Sequence, residues 1–216
     1  MLEKMAEFFE RRLDGYDEHM LNDIESARDF YKFTANALPS FHVAKILDLG
    51  CGTGLELEEY FKLNPNASIT GIDLSEKMLD ALKFKFQNKR LDLIVGSYFD
   101  VCFGESVYDA AVSVESLHHF TKEAKIPLYK KLCASLKGNG YFILTDYFAK
   151  DDEYESFFQN ELLRLKRLEG ITDSDFYHYD TPLTVGHETE ALIEGGFSSV
   201  KILASWGATF TLRADK

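Results

Sequence analysis

The residues with the clearest chemical potential lie in the stretch ILDLGCGTG at positions 46–54, where an apolar run reaches Asp48 and then breaks into Gly50, Gly52 and Gly54. Glycine permits positive φ angles and lets a ligand approach the main chain closely, at a cost in stability elsewhere. Glycines placed just after a strand-like run therefore predict a ligand-binding turn. A carboxylate beside the turn would repel a pyrophosphate, so a ligand with an ammonium or sulfonium group fits better.

A second carboxylate, Asp73, ends the next strand-like run, SITGID, about 20 residues after the glycines. In a βαβ unit this position reaches a ribose, whose hydroxyl groups donate hydrogen bonds to an acidic side chain. Asp73 alone could be an ordinary strand-end cap, but its spacing from the glycine loop favours the ribose. Dinucleotide-binding loops have a third glycine where this chain has Leu55, which argues against a dinucleotide.

Proton acceptors form the second set of chemically capable residues. His118 and His119 follow the run YDAAVSV, and because adjacent side chains diverge we expect one of them, His119, to face the cleft. Tyr147 lies just past a later strand, at the edge where an acceptor would bind. The remaining polar candidates are Tyr16, His19, Glu115 and His178, and Asp180 lies near His178 in the same run, FYHYDTP. Each of these side chains also has a purely structural alternative, namely capping, packing or loop solvation.

The elements that must position these residues alternate between strand and helix. From residue 45 onward, apolar runs typical of buried strands are separated by segments with helical periodicity, and this pattern predicts a doubly wound, mainly parallel α/β sheet. Ser75 is a plausible N-cap for one of the helices. The last two strand-like runs meet at Gly207 and predict an antiparallel hairpin. Residues 2–13 and 23–37 have helical spacing, with a polar turn between them.

We expect a single domain of 216 residues. Its predicted parts are an N-terminal helical cap, a ligand-binding core, a helical insert near the acceptor pocket, and a C-terminal helix with a β-hairpin, at residues 1–38, 40–150, 151–182 and 183–216.

Composition limits the partners. The formal charge of −12 argues against a nucleic-acid partner, which normally requires a basic face. The three cysteines show no CxxC spacing, which predicts a reducing, cytoplasmic compartment. No leader peptide and no membrane-spanning run is predicted. No His/Cys/Asp cluster has the spacing of a metal site, so no metal is expected.

Four segments, in this order and spacing, resemble the class I S-adenosylmethionine-dependent methyltransferases, particularly small bacterial members with a generic methyltransferase domain: ILDLGCGTG, GIDLSEKML, YDAAVSVESLHHF and LKGNGYFILTDYF. The resemblance covers residues 40–150 well and the tail from 180 moderately. It implies a Rossmann-like, seven-stranded sheet with helices on both faces and an N-terminal lid. The cofactor-binding set that it implies is Asp48, Gly50, Cys51, Gly52, Gly54, Asp73, Leu74, Met78, Ser97, Tyr98 and Val114.

Within that set, the glycine loop would pass around the methionine part of the cofactor, Asp73 would bind the ribose, and Leu74 and Met78 would pack near the adenine. The family often has an acid after the third strand, where this chain has Ser97. The Tyr–Asp pair at Tyr16 resembles one that many such enzymes place in the lid.

The resemblance implies methyl transfer from S-adenosylmethionine to a small-molecule acceptor by in-line displacement, favoured by proximity. His119, Tyr147 and Tyr16 are the residues predicted to assist, and deprotonation of the acceptor by a histidine or tyrosine is one option. The alternatives are a non-catalytic S-adenosylmethionine-binding protein, transfer of another sulfonium substituent, and a nicotinamide-dependent oxidoreductase. The acceptor atom stays open, and a monomer or a homodimer is expected.

Overall fold

The computed structural model of the chain describes residues 1–216 and contains one sheet of seven strands. In chain order the strands are β1 Lys45–Leu49, β2 Ser68–Asp73, β3 Arg90–Val95, β4 Tyr108–Val114, β5 Leu136–Tyr147, β6 Ser199–Trp206 and β7 Thr209–Asp215. They lie in the order β3-β2-β1-β4-β5-β7-β6. Strands β1 to β5 are parallel, and β7 runs antiparallel to both β5 and β6. This topology confirms the predicted fold class.

Eight α-helices connect or flank the strands: α1 Met5–Arg12, α2 Tyr16–Asp23, α3 Ala27–Ala37, α4 Leu55–Leu63, α5 Glu76–Lys85, α6 Lys122–Ser135, α7 Asp152–Leu168 and α8 Val185–Glu194. Four of them begin with a side chain that accepts a hydrogen bond from an amide in the first turn. The predicted cap Ser75 is one of these, and Thr121, Asp151 and Thr184 are the others. No helix has the length and apolar character needed to cross a membrane.

The central strands are buried on both faces, which explains why they are continuous apolar runs in the sequence. In β1, Ile46, Leu47 and Leu49 are completely buried, and in β4 so are Ala110 and Val112. One apolar core lies on each face of the sheet. Because β2 and β3 lie on one side of β1 and β4 on the other, the sheet has its topological switch point between β1 and β4.

The N-terminal helices divide into two groups. Helix α3 packs into the core on one face of the sheet through Phe30 and Ala35, which are both fully buried. The polar stretch predicted as a turn folds instead as α2, in which only Met20 is buried. Tertiary contacts stabilise this short helix, since Asp17 accepts a hydrogen bond from the Thr53 hydroxyl at 2.5 Å. Residues 1–23 thus lie over the carboxyl edge of the sheet, where β1 ends.

A buried ion pair fastens α6 to α8. Lys125 Nζ lies 2.5 Å from Glu188 Oε2, the Tyr129 hydroxyl donates to the same carboxylate, and both charged side chains are 1% exposed. Removing one charge of a buried pair leaves the other uncompensated.

We therefore predict that Lys125→Met lowers the free energy of unfolding by about 3–5 kcal/mol, measured by urea denaturation. The matched variant Lys122→Met removes a lysine one turn earlier, whose partner Glu190 is exposed, so a much smaller loss is expected. Equal losses in the two variants would contradict a stabilising role for the buried pair.

Candidate functional site

The glycine loop leaves β1 at the switch point and touches the loop that leaves β4. Gly50 has φ 73°, and a Cβ atom there would overlap the Ser116 side chain, so only glycine lets these two loops approach. Gly52, with φ 47°, has no atom within 4 Å of the position of a Cβ. The loop therefore presents bare backbone to an open space above it.

Asp73 joins this loop to the end of β2. Its Oδ2 accepts a hydrogen bond from the Gly52 amide at 2.9 Å, and its Oδ1 accepts one from the Ser75 amide at 2.8 Å. Burial raises the pKa of Asp73, and the amide hydrogen bonds oppose that rise only in part. Asp73 and Gly52 both line a small cavity over the loop, so a carboxylate and exposed backbone face the same space.

Two further carboxyl groups, those of Asp48 and Glu56, are buried beneath the loop. No hydrogen-bond donor reaches either oxygen of Asp48 or Oε1 of Glu56. Burial raises the pKa of Asp48 well above its usual range, and the negative charge of Glu56 adds to the rise. Burial also raises the pKa of Glu56, to about 7. Since burial disfavours ionisation of both carboxyl groups, the pair holds a proton at neutral pH.

The space above the loop continues into a larger cavity. The part over Gly50 and Gly52 has a volume of only about 40 Å³, because Met5 and Phe9 of α1 cover it. The adjoining cavity has a volume of about 750 Å³. Four residues line both spaces and therefore mark the junction between them: Phe9, Tyr16, Glu115 and His119.

Beside this junction, the chain after β4 enters a sparsely populated backbone conformation. Glu115 has φ 48°, which is uncommon for a residue other than glycine and costs conformational energy. The turn that follows places His118 next to Asp146, at the end of β5, with 2.5 Å between Nδ1 and the carboxylate. His118 Nε2 lies 3.5 Å from Asp180 Oδ1, in the segment between α7 and α8. A histidine thus lies between two carboxylates from different elements.

The charges of this group stabilise one another. Burial by itself lowers the pKa of His118, but Asp146 and Asp180 outweigh burial and raise that pKa well above its usual range. Burial likewise favours a higher pKa for Asp146, yet the His118 charge holds it below the usual value. His118 is therefore an imidazolium held between two carboxylates at neutral pH.

His119 has a different environment. Its Nδ1 lies 3.2 Å from the carbonyl oxygen of Tyr179 and 3.2 Å from Asp180 Oδ1. Both neighbours are acceptors, so Nδ1 carries the proton and Nε2 keeps its lone pair. Burial lowers the pKa of His119, and the charge of His118 lowers it further. His119 is a neutral imidazole at the junction of the two cavities.

The other residues predicted for the site divide into those that line these cavities and those that lie behind them. Tyr16 and Tyr147 line the larger cavity, and Met78 and Val114 line the smaller one. The Tyr147 hydroxyl is 2.8 Å from that of Tyr154. Six predicted residues line neither cavity: Asp48, Cys51, Gly54, Leu74, Ser97 and Tyr98.

Three of these six, Cys51, Ser97 and Tyr98, have structural contacts instead. Cys51 is buried and lies against Gly71 of β2, and the Ser97 hydroxyl accepts from the Phe99 amide at 3.1 Å. The Tyr98 hydroxyl lies 3.3 Å from Ser116 Oγ. The roles of all these residues toward a ligand stay predictions.

Sequence reasoning did not select Glu56 or Asp146 as site residues, and for Asp180 it left loop solvation at least as favoured as catalysis. Asp146 had a usable signal, since an acid at the carboxyl end of a central parallel strand lies at the ligand-binding edge. Glu56 had none, because an acidic residue in the first turn of a helix is common. The expectation of no metal site considered spacing along the chain, whereas the fold brings His118, His119 and Asp180 together from segments about 60 residues apart, with ligating atoms within 4.8 Å.

Comparison with known proteins gives three informative matches. Residues 46–140 match a family model described as a methyltransferase domain. A carboxy-S-adenosyl-L-methionine synthase from Campylobacter fetus is 27% identical over 183 residues, covering 80% of this chain and 77% of the relative. A tRNA (carboxymethyluridine(34)-5-O)-methyltransferase from Arabidopsis thaliana is 30% identical over 118 residues, covering 54% of this chain but only 27% of the relative.

Among solved structures, human N-acetylserotonin methyltransferase in complex with S-adenosylmethionine has a TM-score of 0.62 at 19% identity. The match covers 86% of this chain and 51% of the human one. At this identity the likeness concerns the fold.

The buried carboxyl pair predicts a dependence of stability on pH. The pKa of Glu56 rises from an ordinary 4.5 to about 7 on folding because of burial, so its protonation stabilises the folded state. That contribution is complete below the unfolded pKa and is lost as pH rises through the folded one. Between about pH 5 and pH 8, wild type should lose stability relative to Glu56→Gln by on the order of 3 kcal/mol.

Chemical denaturation across that pH range measures the difference. Glu59→Gln, which removes an acid from a more exposed position on the same helix, serves as the control and should follow the wild-type slope. Parallel curves for wild type and Glu56→Gln would contradict a protonated pair.

Proposed function

Since this chain belongs to the class I S-adenosylmethionine-dependent methyltransferase family, we propose that it methylates a small molecule held in the 750 Å³ cavity. The observation that carries the proposal is that this cavity joins the space over the glycine loop at His119 and Glu115. Its volume is in the range of small-molecule pockets, roughly 300–1,000 Å³. Aromatic side chains from the N-terminal helices and from β6 are part of its wall, and they limit the access of water to the junction.

The residues around the glycine loop suit S-adenosylmethionine. Asp73 offers a carboxylate for the ribose hydroxyls, and the open surface at Gly52 admits a ligand close to the backbone. The Asp73 carboxylate, which faces the space over the loop, favours a cationic ligand over a pyrophosphate. When bound, S-adenosylmethionine supplies an electrophilic methyl group on a sulfonium.

Residues 1–23 act as the lid in this proposal. Met5 and Phe9 fill most of the space over the loop, so α1 must move for a ligand as large as an adenosyl group to enter. Asp17 holds the lid closed, because it accepts from the Thr53 hydroxyl and lies 2.7 Å from Lys85 Nζ. Lid opening would then accompany ligand exchange.

His119 is the proposed proton acceptor. Its Nδ1–H is directed to Tyr179 and Asp180, which leaves the lone pair of Nε2 free at the junction of the two cavities. An acceptor oxygen or nitrogen that must lose a proton before attack would deliver it there. His118 is the poorer choice, since Asp146 and Asp180 flank both of its ring nitrogens.

Tyr16 and Tyr147 are proposed to bind the acceptor as hydrogen-bond donors. Burial raises the pKa of both phenols, and nearby acidic groups and hydroxyls add to the rise. Neither side chain ionises at neutral pH, so each can donate but not act as a base. Both line the larger cavity.

A small molecule is preferred over a nucleic acid because the chain carries 36 acidic and 24 basic residues. The two arginines that line the cavity, Arg11 and Arg12, are both paired with Glu3. A tRNA acceptor, as in the name of the Arabidopsis relative, would require unpaired basic side chains around the entrance.

A second candidate is a reaction that alters the sulfonium substituent. The Campylobacter fetus relative, which matches 80% of this chain, is named a carboxy-S-adenosyl-L-methionine synthase. The two candidates leave different products: methyl transfer releases S-adenosylhomocysteine, and the second reaction releases a modified sulfonium nucleoside.

We predict that mass spectrometry of the purified protein with S-adenosylmethionine and a panel of small acceptors detects S-adenosylhomocysteine together with an acceptor heavier by one methyl group. His119→Gln should lower the turnover by about 10²–10⁴-fold, because the proton acceptor is lost. Its affinity for S-adenosylhomocysteine should stay unchanged. The control is His42→Gln, at an exposed position away from both cavities.

A carboxylated nucleoside product, formed only when a small carboxylic acid is added as the carboxyl donor, would favour the second candidate. Full activity in His119→Gln would exclude this histidine as the base. No conversion with any acceptor, despite binding of S-adenosylhomocysteine, would favour a non-catalytic binding protein.

The lid has its own test. Asp17→Asn weakens the contacts to Thr53 and Lys85, so S-adenosylhomocysteine should dissociate several-fold faster, measured by stopped-flow fluorescence of Trp206, the single tryptophan, which lines the cavity. Asp23→Asn, in the same helix but paired only with His19, should leave the rate unchanged. Identical rates in Asp17→Asn and wild type would contradict the lid.

A further inference from the structure

We propose that His118, His119 and Asp180 form a binding site for a divalent transition-metal ion such as Zn²⁺, and that bound metal prevents His119 from acting as a base. The first part stands on the geometry of the three side chains. The second part rests on the proposed function of His119.

The three ligating atoms have the separations of a metal site. Asp180 Oδ1 is 3.2 Å from His119 Nδ1 and 3.5 Å from His118 Nε2, and one ligating atom from each residue lies within 4.8 Å of the others. Zinc bonds of about 2.0–2.2 Å in tetrahedral geometry place neighbouring ligand atoms about 3.4 Å apart. An ion can therefore bind with small side-chain movements.

A supporting contact orients the first ligand. Asp146 lies 2.5 Å from His118 Nδ1, so that nitrogen donates to the carboxylate and Nε2 faces Asp180. Without metal, Nε2 also carries a proton, and an ion that binds there releases this proton to solvent. A carboxylate on the far nitrogen of a ligating histidine is the usual arrangement in zinc proteins, where it fixes the tautomer and raises the basicity of the ligand. Asp146 is itself buried and also accepts from the Leu117 amide at 2.9 Å, so this support is rigid.

The site also has an entry path and an open side. His118 and His119 are buried, but the Asp180 side chain is 46% exposed, and all three residues line the 750 Å³ cavity. Three protein ligands with a free position toward a cavity are typical of accessible zinc sites rather than closed structural ones. Two imidazoles favour Zn²⁺, Co²⁺, Ni²⁺ or Cu²⁺ over Mg²⁺ and Ca²⁺, which prefer oxygen ligands.

Metal binding and base function use the same imidazole in opposite forms. As a base, His119 carries its proton on Nδ1 and offers the lone pair of Nε2. A metal on Nδ1 takes the place of that proton, so a neutral ring must carry its proton on Nε2. The metal-bound His119 then has no lone pair for an acceptor, and the metal is an inhibitor of methyl transfer.

The test is a titration of the full-length, metal-free protein with Co²⁺ alone, followed by its visible ligand-field absorption. We expect one equivalent to bind with an intense, tetrahedral-type spectrum and to be displaced by Zn²⁺. Asp180→Asn and His118→Gln should each weaken binding by at least about tenfold. His42→Gln, at an exposed position, should bind as wild type does.

Absence of a stoichiometric Co²⁺ spectrum in wild type would overturn the proposal, as would wild-type affinity in both ligand variants. Asp180 is half-exposed, so Asp180→Asn separates ligand loss from misfolding, and thermal unfolding of each variant checks this. Calorimetry with S-adenosylhomocysteine, run on the same samples, keeps the two proposals apart. A protein that binds S-adenosylhomocysteine but does not bind Co²⁺ would refute only the metal site. A protein that binds Co²⁺ but does not bind S-adenosylhomocysteine would refute the proposed function.

Discussion

The site depends on one contact, the hydrogen bond from the Gly52 amide to the carboxylate of Asp73 at 2.9 Å. It ties the loop after β1 to the end of β2, and the second oxygen of Asp73 binds the start of α5 through Ser75. The loop can make this bond only with positive φ angles, which glycine permits. One carboxylate thereby orients two loops and remains on the wall of the cavity, facing the proposed ribose position.

The chemistry on the other side of the switch point depends on charges that the fold brings together from a distance. The turn after β4 supplies His118 and His119, the end of β5 supplies Asp146, and the segment before α8 supplies Asp180. Each carboxylate stabilises the imidazolium of His118, and both the carbonyl of Tyr179 and Asp180 fix the tautomer of His119. The same short distances that orient a base also create a metal site. Proton transfer and metal binding are therefore competing uses of one cluster.

The sheet could be predicted from the sequence because buried parallel strands such as β1 and β4 are continuous apolar runs. The start of α5 could be predicted because Ser75 caps the helix through a local hydrogen bond. Sequence reasoning missed α2, whose polar sequence has no clear apolar face and whose contacts, such as Asp17 with Thr53, are long-range. The histidine cluster escaped for the same reason: about 60 residues separate His119 from Asp180. Local patterns encode strands and caps, whereas pairing of distant side chains follows only from the packed fold.

The most direct test of the central claim is calorimetric titration with S-adenosylhomocysteine of wild type, Asp73→Asn and the control Asp80→Asn, which changes an exposed acid in α5. Micromolar binding by wild type and the control, weakened about 10–100-fold in Asp73→Asn and absent with NAD, is the predicted result, because a charged hydrogen-bond acceptor contributes about 1.5–3 kcal/mol. Binding of NAD instead, or equal affinity in Asp73→Asn, would contradict the claim that Asp73 and the glycine loop form the cofactor site.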